Sequence, residues 1–357
     1  MQFSLKKIVI VLILFILPMK IIGQSAIVIG MSAPLSGPSG HLGSSLLEGI
    51  LPTIEHINAT GGINGQRLKL IPLDDEYQPN KTVENTIKLV EDHNVDLLFS
   101  YVGTPTTLQA SPLIIKYNRP LVFPITGAHI FHQGTIGNQT FHWRPTYWQE
   151  AAAIVNHFVQ QKKKNIAVYI QKDAFGKSGL MGIEAALKKH KLNPSTIVSY
   201  HRGKAFHDDF SSDAKLLLNH SPDAIISVSA YEASAGIIKA VRELSDIPIA
   251  TLSFSDPQGM IIKLDNHPFA TKHLVYSQIM PTKLAATDLT EFKAITNQEF
   301  NPIRYEGYKN TLLLANILKS HRPESLIKQH DTIQNLLPKT SPILTTYTRT
   351  GWQEIAQ

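Results

Sequence analysis

Short runs of β-branched and apolar residues alternate with longer amphipathic stretches along almost the whole chain. Strands are predicted over 26–31, 68–73, 95–99, 121–123, 166–170, 196–200, 224–228, 249–252 and 274–276. Helices are predicted over 44–59, 82–93, 149–161, 179–190, 210–219, 233–244, 287–300 and 306–320. Strand–helix alternation with strands apolar on both faces is the pattern of parallel sheets covered by helices on both sides. One open sheet rarely absorbs this many strands. The 357 residues suffice for two domains at roughly 100–200 residues each. The expected fold class is α/β, with two doubly wound parallel-sheet lobes.

Composition narrows the chemistry. The chain is 43% hydrophobic and 17% charged, a globular balance. It has no cysteine, which excludes disulfides, thiolate metal ligands and a cysteine nucleophile together. Lys6 and Lys7 precede an unbroken apolar run over 8–19 with no acid nearby. Twelve residues span about 18 Å as helix, short of a bilayer core near 30 Å. Residues 1–24 therefore read as a secretory signal peptide, cleaved near Gly23 or Ser25, in preference to a membrane anchor. Losing Lys6, Lys7 and Lys20 lowers the formal charge from +6 to +3. The remaining basic residues are scattered; Lys162, Lys163 and Lys164 read as a solvated turn. A nucleic-acid surface wants a basic stripe with stacking aromatics, so no nucleic-acid partner is expected.

In open parallel sheets, ligands bind where strands feed into helices at their carboxyl ends. Here those loops are 32–43, 100–107, 124–129, 171–178, 229–233 and 253–259. They are rich in Gly, Ser and Thr, whose backbone N–H groups at helix starts suit an anionic group such as a carboxylate. Reaction chemistry finds little support. Phe175-Gly176-Lys177-Ser178 resembles the end of a phosphate loop, but Gln171 stands where that loop needs glycine. Ser32 lacks the following glycine of a nucleophile elbow, since Pro34 occupies that place. His129, His132 and His142 have no acid close in sequence and read as solvent-facing or capping residues, not zinc ligands. Asp208, Asp209 and Asp213 read as helix caps. Asp74, Asp75 and Glu76 end a strand and brace a turn. No catalytic residue, metal or cofactor is expected. Asn58, Asn80, Asn138 and Asn219 match the glycosylation pattern, which is idle in a bacterial periplasm.

An ordered series of motifs is more specific. Residues 29–49 read IGMSAPLSGPSGHLGSSLLEG, followed by INATGGING at 57–65 and Leu73-Asp74-Asp75. Further along come Tyr101-Val102-Gly103-Thr104-Pro105-Thr106, Gly127-Ala128, Arg144-Pro145-Thr146-Tyr147 and Gln171-Lys172-Asp173-Ala174-Phe175-Gly176. Pro222-Asp223-Ala224, Ser253-Phe254 and Tyr305-Glu306-Gly307-Tyr308 complete it. Together they resemble the solute-binding proteins of branched-chain amino acid ABC importers, which have the type I periplasmic-binding fold and are leucine-binding-protein-like. The resemblance covers nearly all of the chain after the signal.

What the resemblance implies is a pair of interleaved lobes, 25–143 plus 278–338 and 144–277 plus 339–357. Three crossings near 142–147, 276–281 and 336–344 would join them as a hinge. A ligand carboxylate would meet Thr104, Thr126 and Ala128, with Gly103 letting the backbone approach. Phe175 and Tyr231 match aromatics that close over the ligand; Leu42 and Tyr147 complete the wall. The acid that anchors an ammonium in relatives aligns with Ser253, a neutral residue, and Glu232 is a candidate substitute. That departure argues against a free α-amino acid and for a small carboxylate or amide with an apolar portion. The implied function is a monomeric periplasmic solute-binding protein that hands a small ligand to an inner-membrane permease. A ligand sensor on the same fold and a secreted hydrolase are the alternatives. The signal peptide weighs against the first, the missing nucleophile and base against the second.

Overall fold

The structure, a computed structural model, describes residues 26–355; the predicted signal peptide lies outside the described residues. The first lobe opens with β1 (Ile27–Ala33), α1 (Gly40–Ala59), β2 (Leu68–Asp74) and α2 (Pro79–Ile87), which runs into a π turn, Lys88–Asp92. It continues with β3 (Leu97–Phe99), α3 (Thr104–Tyr117), β4 (Leu121–Val122), α4 (Gly134–Gly137) and β5 (Thr140–Phe141). Its five strands are all parallel, in the order β2-β1-β3-β4-β5. The chain then passes to the second lobe. There lie α5 (Tyr147–Gln160), β6 (Ile166–Gln171), α6 (Ala174–Lys189), β7 (Thr196–Tyr200), α7 (Ser211–Leu218) and β8 (Ala224–Val228). They are followed by α8 (Tyr231–Arg242), β9 (Ile249–Thr251), α9 (Pro257–Leu264) and β10 (Leu274–Gln278).

After β10 the chain returns to the first lobe as α10 (Ala286–Thr296), α11 (Pro302–Ser320) and α12 (His330–Leu336). It crosses a third time into β11 (Ile343–Thr348) and β12 (Gly351–Glu354). The second sheet runs β12-β11-β10-β9-β8-β6-β7. Two doubly wound sheets joined by three passages are the type I periplasmic-binding architecture. Its last two strands are an antiparallel hairpin, not part of the parallel ladder, and were not expected as strands. The hairpin turn carries no Asn-Gly or Asp-Gly signal.

Close helix packing places the return segment. A Cβ on Gly49 of α1 would lie 2.0 Å from the Arg304 carbonyl oxygen of α11, and one on Gly307 would lie 2.3 Å from the Leu46 carbonyl oxygen. Only bare glycine faces let these two backbones approach so closely. Arg304 and Glu48 clamp the exposed edge of the same contact. The α12 segment is tied to the first crossing: Gln334 accepts from the His142 N–H at 2.9 Å and donates to its carbonyl at 2.5 Å. The Trp143 indole donates to Asn310 of α11 at 2.6 Å. Among the described residues no helix is long and apolar enough to cross a membrane.

Candidate functional site

Gly103 ends the β3 loop at φ +96° and sits at the N-cap of α3. A Cβ there would lie 2.3 Å from the Tyr77 ring, so the glycine admits Tyr77 rather than a ligand. The first turn of α3 leaves N–H groups with no intrahelical acceptor. Thr104 opens that turn, and its hydroxyl lies 2.7 Å from the Thr126 hydroxyl on the neighbouring loop. The Thr126 hydroxyl also accepts from the Ala128 N–H at 3.1 Å. All three residues are buried. The Tyr147 backbone N–H donates to the Gly127 carbonyl at 2.7 Å, which brings the Tyr147 side chain under the same loop. Its hydroxyl faces Thr126 but makes no aligned hydrogen bond, and burial raises it above the ordinary tyrosine value. The Thr104, Thr126 and Tyr147 hydroxyls thus gather at the carboxyl ends of β3 and β4, with the Ala128 N–H already given to Thr126 and the Tyr147 hydroxyl left without a partner among the described residues.

Aromatic rings face this cluster. Phe175, at the start of α6, packs edge-on to Tyr147 with centroids 5.3 Å apart and touches Phe254 at 5.0 Å. Phe254 reaches across to Tyr77 at 5.8 Å. Tyr77, from the loop after β2, is 5% exposed and held at φ +60°. A cavity of about 30 Å³ remains beside Phe254, walled by Leu42, Ile125, Met280 and Ile303 and closed by Ser253. A larger opening of about 350 Å³ lies outward, between Tyr77, Gln78, Gln171, Tyr200 and Arg202.

A charged cluster crosses the hinge on the inner side. Arg144 pairs with Glu306 of α11 at 2.7 Å and donates to the Ser253 hydroxyl at 3.0 Å. Ser253 in turn donates to Glu150 of α5 through its N–H at 2.7 Å and its hydroxyl at 2.8 Å. The Tyr276 hydroxyl donates to the Ser253 carbonyl at 2.6 Å. Burial raises both Glu150 and Glu306, and Arg144 opposes the rise in each. Ser253 is therefore a junction of the hinge network.

The acid of the second-lobe loop after β9 is Asp256, three residues beyond Ser253, the position the resemblance pointed to. A 3-10 turn, Ser253–Ser255, advances the chain so that Asp256 is the buried residue, 1% exposed, at φ +46°. One carboxylate oxygen caps α9 by accepting from the Gln258 N–H at 3.2 Å. The other lies 2.8 Å from His41 Nε2 on α1, across the cleft. That contact raises the His41 imidazole above its ordinary value, against the opposing effect of burial. The Tyr231 ring lies 6.0 Å from His41, and its hydroxyl donates to Glu232. Glu232 is committed to Lys263 at 2.9 Å and to the Phe206 N–H, so it does not replace the acid at this loop.

Of the nine residues named from sequence, Thr104, Thr126, Ala128 and Tyr147 meet around one loop, Phe175 packs on Tyr147, Leu42 and Ser253 line the small cavity, and Tyr231 lies near His41. Gly103 serves packing, and Ser253 serves the hinge. His41, Tyr77, Arg144, Glu150, Phe254, Asp256 and Glu306 were missed as site residues. Most belong to the motif series quoted above, but nothing in their spacing marks them as meeting across lobes. Of the histidines read as solvent-facing or capping, His142 is buried, bonded to the Phe131 carbonyl at 2.8 Å and stacked on His132 at 4.0 Å. Burial lowers His132 to about 4. Among the described residues no group of three or more acidic or histidine side chains could hold a metal ion. The Phe175 and Gly176 N–H groups, where a phosphate would sit, are taken by the Asp173 cap at 2.9 and 3.3 Å. Ser32 donates to buried Asp75 at 2.8 Å and is committed to that bond.

Two doubly wound lobes meet here at a cleft lined by hydroxyl groups and aromatic rings. The periplasmic binding protein family model matches residues 26–342, and the chain belongs to that family, a family of binding proteins. The Leu/Ile/Val-binding protein homolog 3 of Brucella melitensis is 26% identical over 228 residues, 63% of this chain and 60% of that protein. The chain thus spans about three fifths of that relative's length. The crystal structure of a possible leucine/isoleucine/valine-binding protein from Rhodopirellula baltica superposes with a TM-score of 0.84 at 23% identity. It covers 94% of this chain and 97% of the other. An ABC-transporter solute-binding protein of R. palustris, solved with benzoate, superposes at 0.77 with 16% identity over 93% of this chain and 96% of the other.

Proposed function

We propose that this chain is the exported solute-binding component of an ABC importer. It captures a small amino-acid-like, carboxylate or amide ligand between its lobes and delivers it to an inner-membrane permease. In this reading residues 1–24 are the signal peptide, and the mature protein is a monomer in the periplasm. The closing bodies are 25–143 with 278–338, and 144–277 with 339–357. No reaction is part of the proposal, and no metal or cofactor.

The observation that carries it is the donor cluster of Thr104, Thr126, the Ala128 N–H and the incompletely bonded Tyr147 hydroxyl. The Tyr147 ring of this cluster packs against Phe175, and Phe175 against Phe254. Charge-assisted hydrogen bonds to a carboxylate are about twice as strong as neutral ones, and burial under rings excludes competing water. Membership of the binding-protein family supports the same reading. The Brucella relative bears a branched-chain amino acid name and the R. palustris neighbour holds benzoate; both ligands carry a carboxylate beside an apolar body.

Calorimetry on protein unfolded, stripped of ligand and refolded tests it, using leucine, leucinamide and 4-methylpentanoate. One-to-one binding of at least one ligand, weakened at least tenfold by Thr126→Val, is expected. Binding that is absent for all three, or indifferent to Thr126, contradicts the proposal.

A further inference from the structure

We propose that His41 sets the ligand class of this cleft: by occupying Asp256 from the opposite lobe, it reserves the pocket for a small monocarboxylate with an apolar body and no ammonium group. The inference rests on the carboxylate form of the preceding reading of the cleft.

A free amino acid brings an ammonium as well as a carboxylate, and burying that charge unpaired costs several kcal/mol. The cleft would have to supply a carboxylate. Its acids are committed elsewhere. Asp75 accepts from Ser32, Thr82 and the Tyr77 N–H. Glu150 holds Ser253, and Glu306 holds Arg144. Asp173 caps α6, and Glu232 holds Lys263. Asp256 differs because its outward oxygen lies 2.8 Å from a side chain of the other lobe, His41 Nε2, in an ion-pair contact not aligned as a hydrogen bond, and neither atom has any other partner among the described residues.

The carboxylate is rigidly presented. Its inner oxygen caps α9, its backbone is left-handed, and a Cβ on Gly259 would lie 2.4 Å from its outer oxygen. His41 stands in the first turn of α1, its side chain 35% exposed. The residues next to the pair, Leu42 and Pro257, both line the apolar cavity beside Phe254. A tethered imidazole, positive when protonated, therefore sits at the edge of the pocket, against the acid a ligand ammonium would seek. What remains for the ligand is the donor cluster around Thr126 for a carboxylate, and the walls of Leu42, Ile125, Met280 and Ile303 for an apolar body.

A simpler role for the pair would be a latch that steadies closure without regard to ligand. The two roles separate in the ratio of two affinities. Leucine and 4-methylpentanoate share a carboxylate and an isobutyl body and differ in the ammonium. Stripped wild-type protein, His41→Ala and His41→Gln are titrated with each, with thermal unfolding as the check on folding. Wild type is expected to bind 4-methylpentanoate at least tenfold tighter than leucine. The His41 variants are expected to shift that ratio at least tenfold toward leucine, and adding Asp256→Asn to abolish the shift. A wild-type preference for leucine, or equal weakening of both ligands in the His41 variants, overturns the proposal while leaving the carboxylate site standing. Folded wild type that binds neither ligand overturns the carboxylate reading and this proposal with it.

Discussion

Arg144 lies between two buried carboxylates at the hinge, and the balance of one cation against two acids makes it the most sensitive side chain there. Removing one partner of a buried ion pair costs about 3–5 kcal/mol because the other charge is left unpaired. Arg144→Met is expected to lower the unfolding free energy by that amount in urea denaturation, and Glu306→Gln in the same chain to restore part of it. A loss below about 1 kcal/mol would place the network in solvent contact. Tyr147 makes the opposite prediction. Its hydroxyl has no aligned partner in the protein, so Tyr147→Phe should leave the melting temperature nearly unchanged while weakening a carboxylate ligand roughly tenfold.

His41 gives closure a pH dependence with a definite sign. The groups acting on it are Asp256, Glu48 and Arg304, with Asp256 dominant and raising it from 6.5. Its contribution to the closed form is complete below the ordinary value and is lost as the pH rises through the raised one. As the pH rises over that interval, the preference of wild type for 4-methylpentanoate over leucine is expected to shrink, while the ratio in His41→Ala stays level, as read by calorimetry at several pH values. Residue-scale legibility was uneven. The small residues and hydroxyls at Thr104, Thr126 and Ala128 stand in loops whose position follows from strand–helix alternation. Asp256 was not legible as a cleft acid and was not singled out from the sequence, because a 3-10 turn decides which residue of the loop points inward.

At the scale of elements, two glycine contacts govern placement. Gly307 lets α11 lie on α1, and alanine there would press on the Leu46 carbonyl. Gly307→Ala is expected to cost about 1–3 kcal/mol in unfolding free energy, as overpacked sites do. Gly103→Ala meets both a positive φ and the Tyr77 ring, so its loss of stability should be accompanied by displacement of Tyr77, visible as altered near-ultraviolet circular dichroism. Most elements were legible because their periodicity is strong. The strands at 196–200 and 224–228 agree residue for residue with Thr196–Tyr200 and Ala224–Val228. The α3 helix was not among the predicted helices, since Pro105 and Pro112 lie inside it. Pro105 falls in the first turn, where no N–H is needed. The α9 helix starts on Pro257 and hides in a loop-like stretch for the same reason. The final hairpin needed its partner β10 to become visible.

At the scale of the molecule, three passages join the two sheets, with Arg144, Ser253 and Glu306 beside them and the His41–Asp256 pair across the cleft; in the proposed function, closure is a rotation of the two bodies about these passages. The central claim is that this cleft holds one small carboxylate against Thr104, Thr126 and Ala128. Native mass spectrometry of the protein purified without unfolding from its own host tests it most directly. The expected spectrum carries a single small organic acid bound one-to-one, released on denaturation and missing from Thr126→Val. A spectrum with no such adduct, or with one retained at full occupancy by Thr126→Val, would contradict the account.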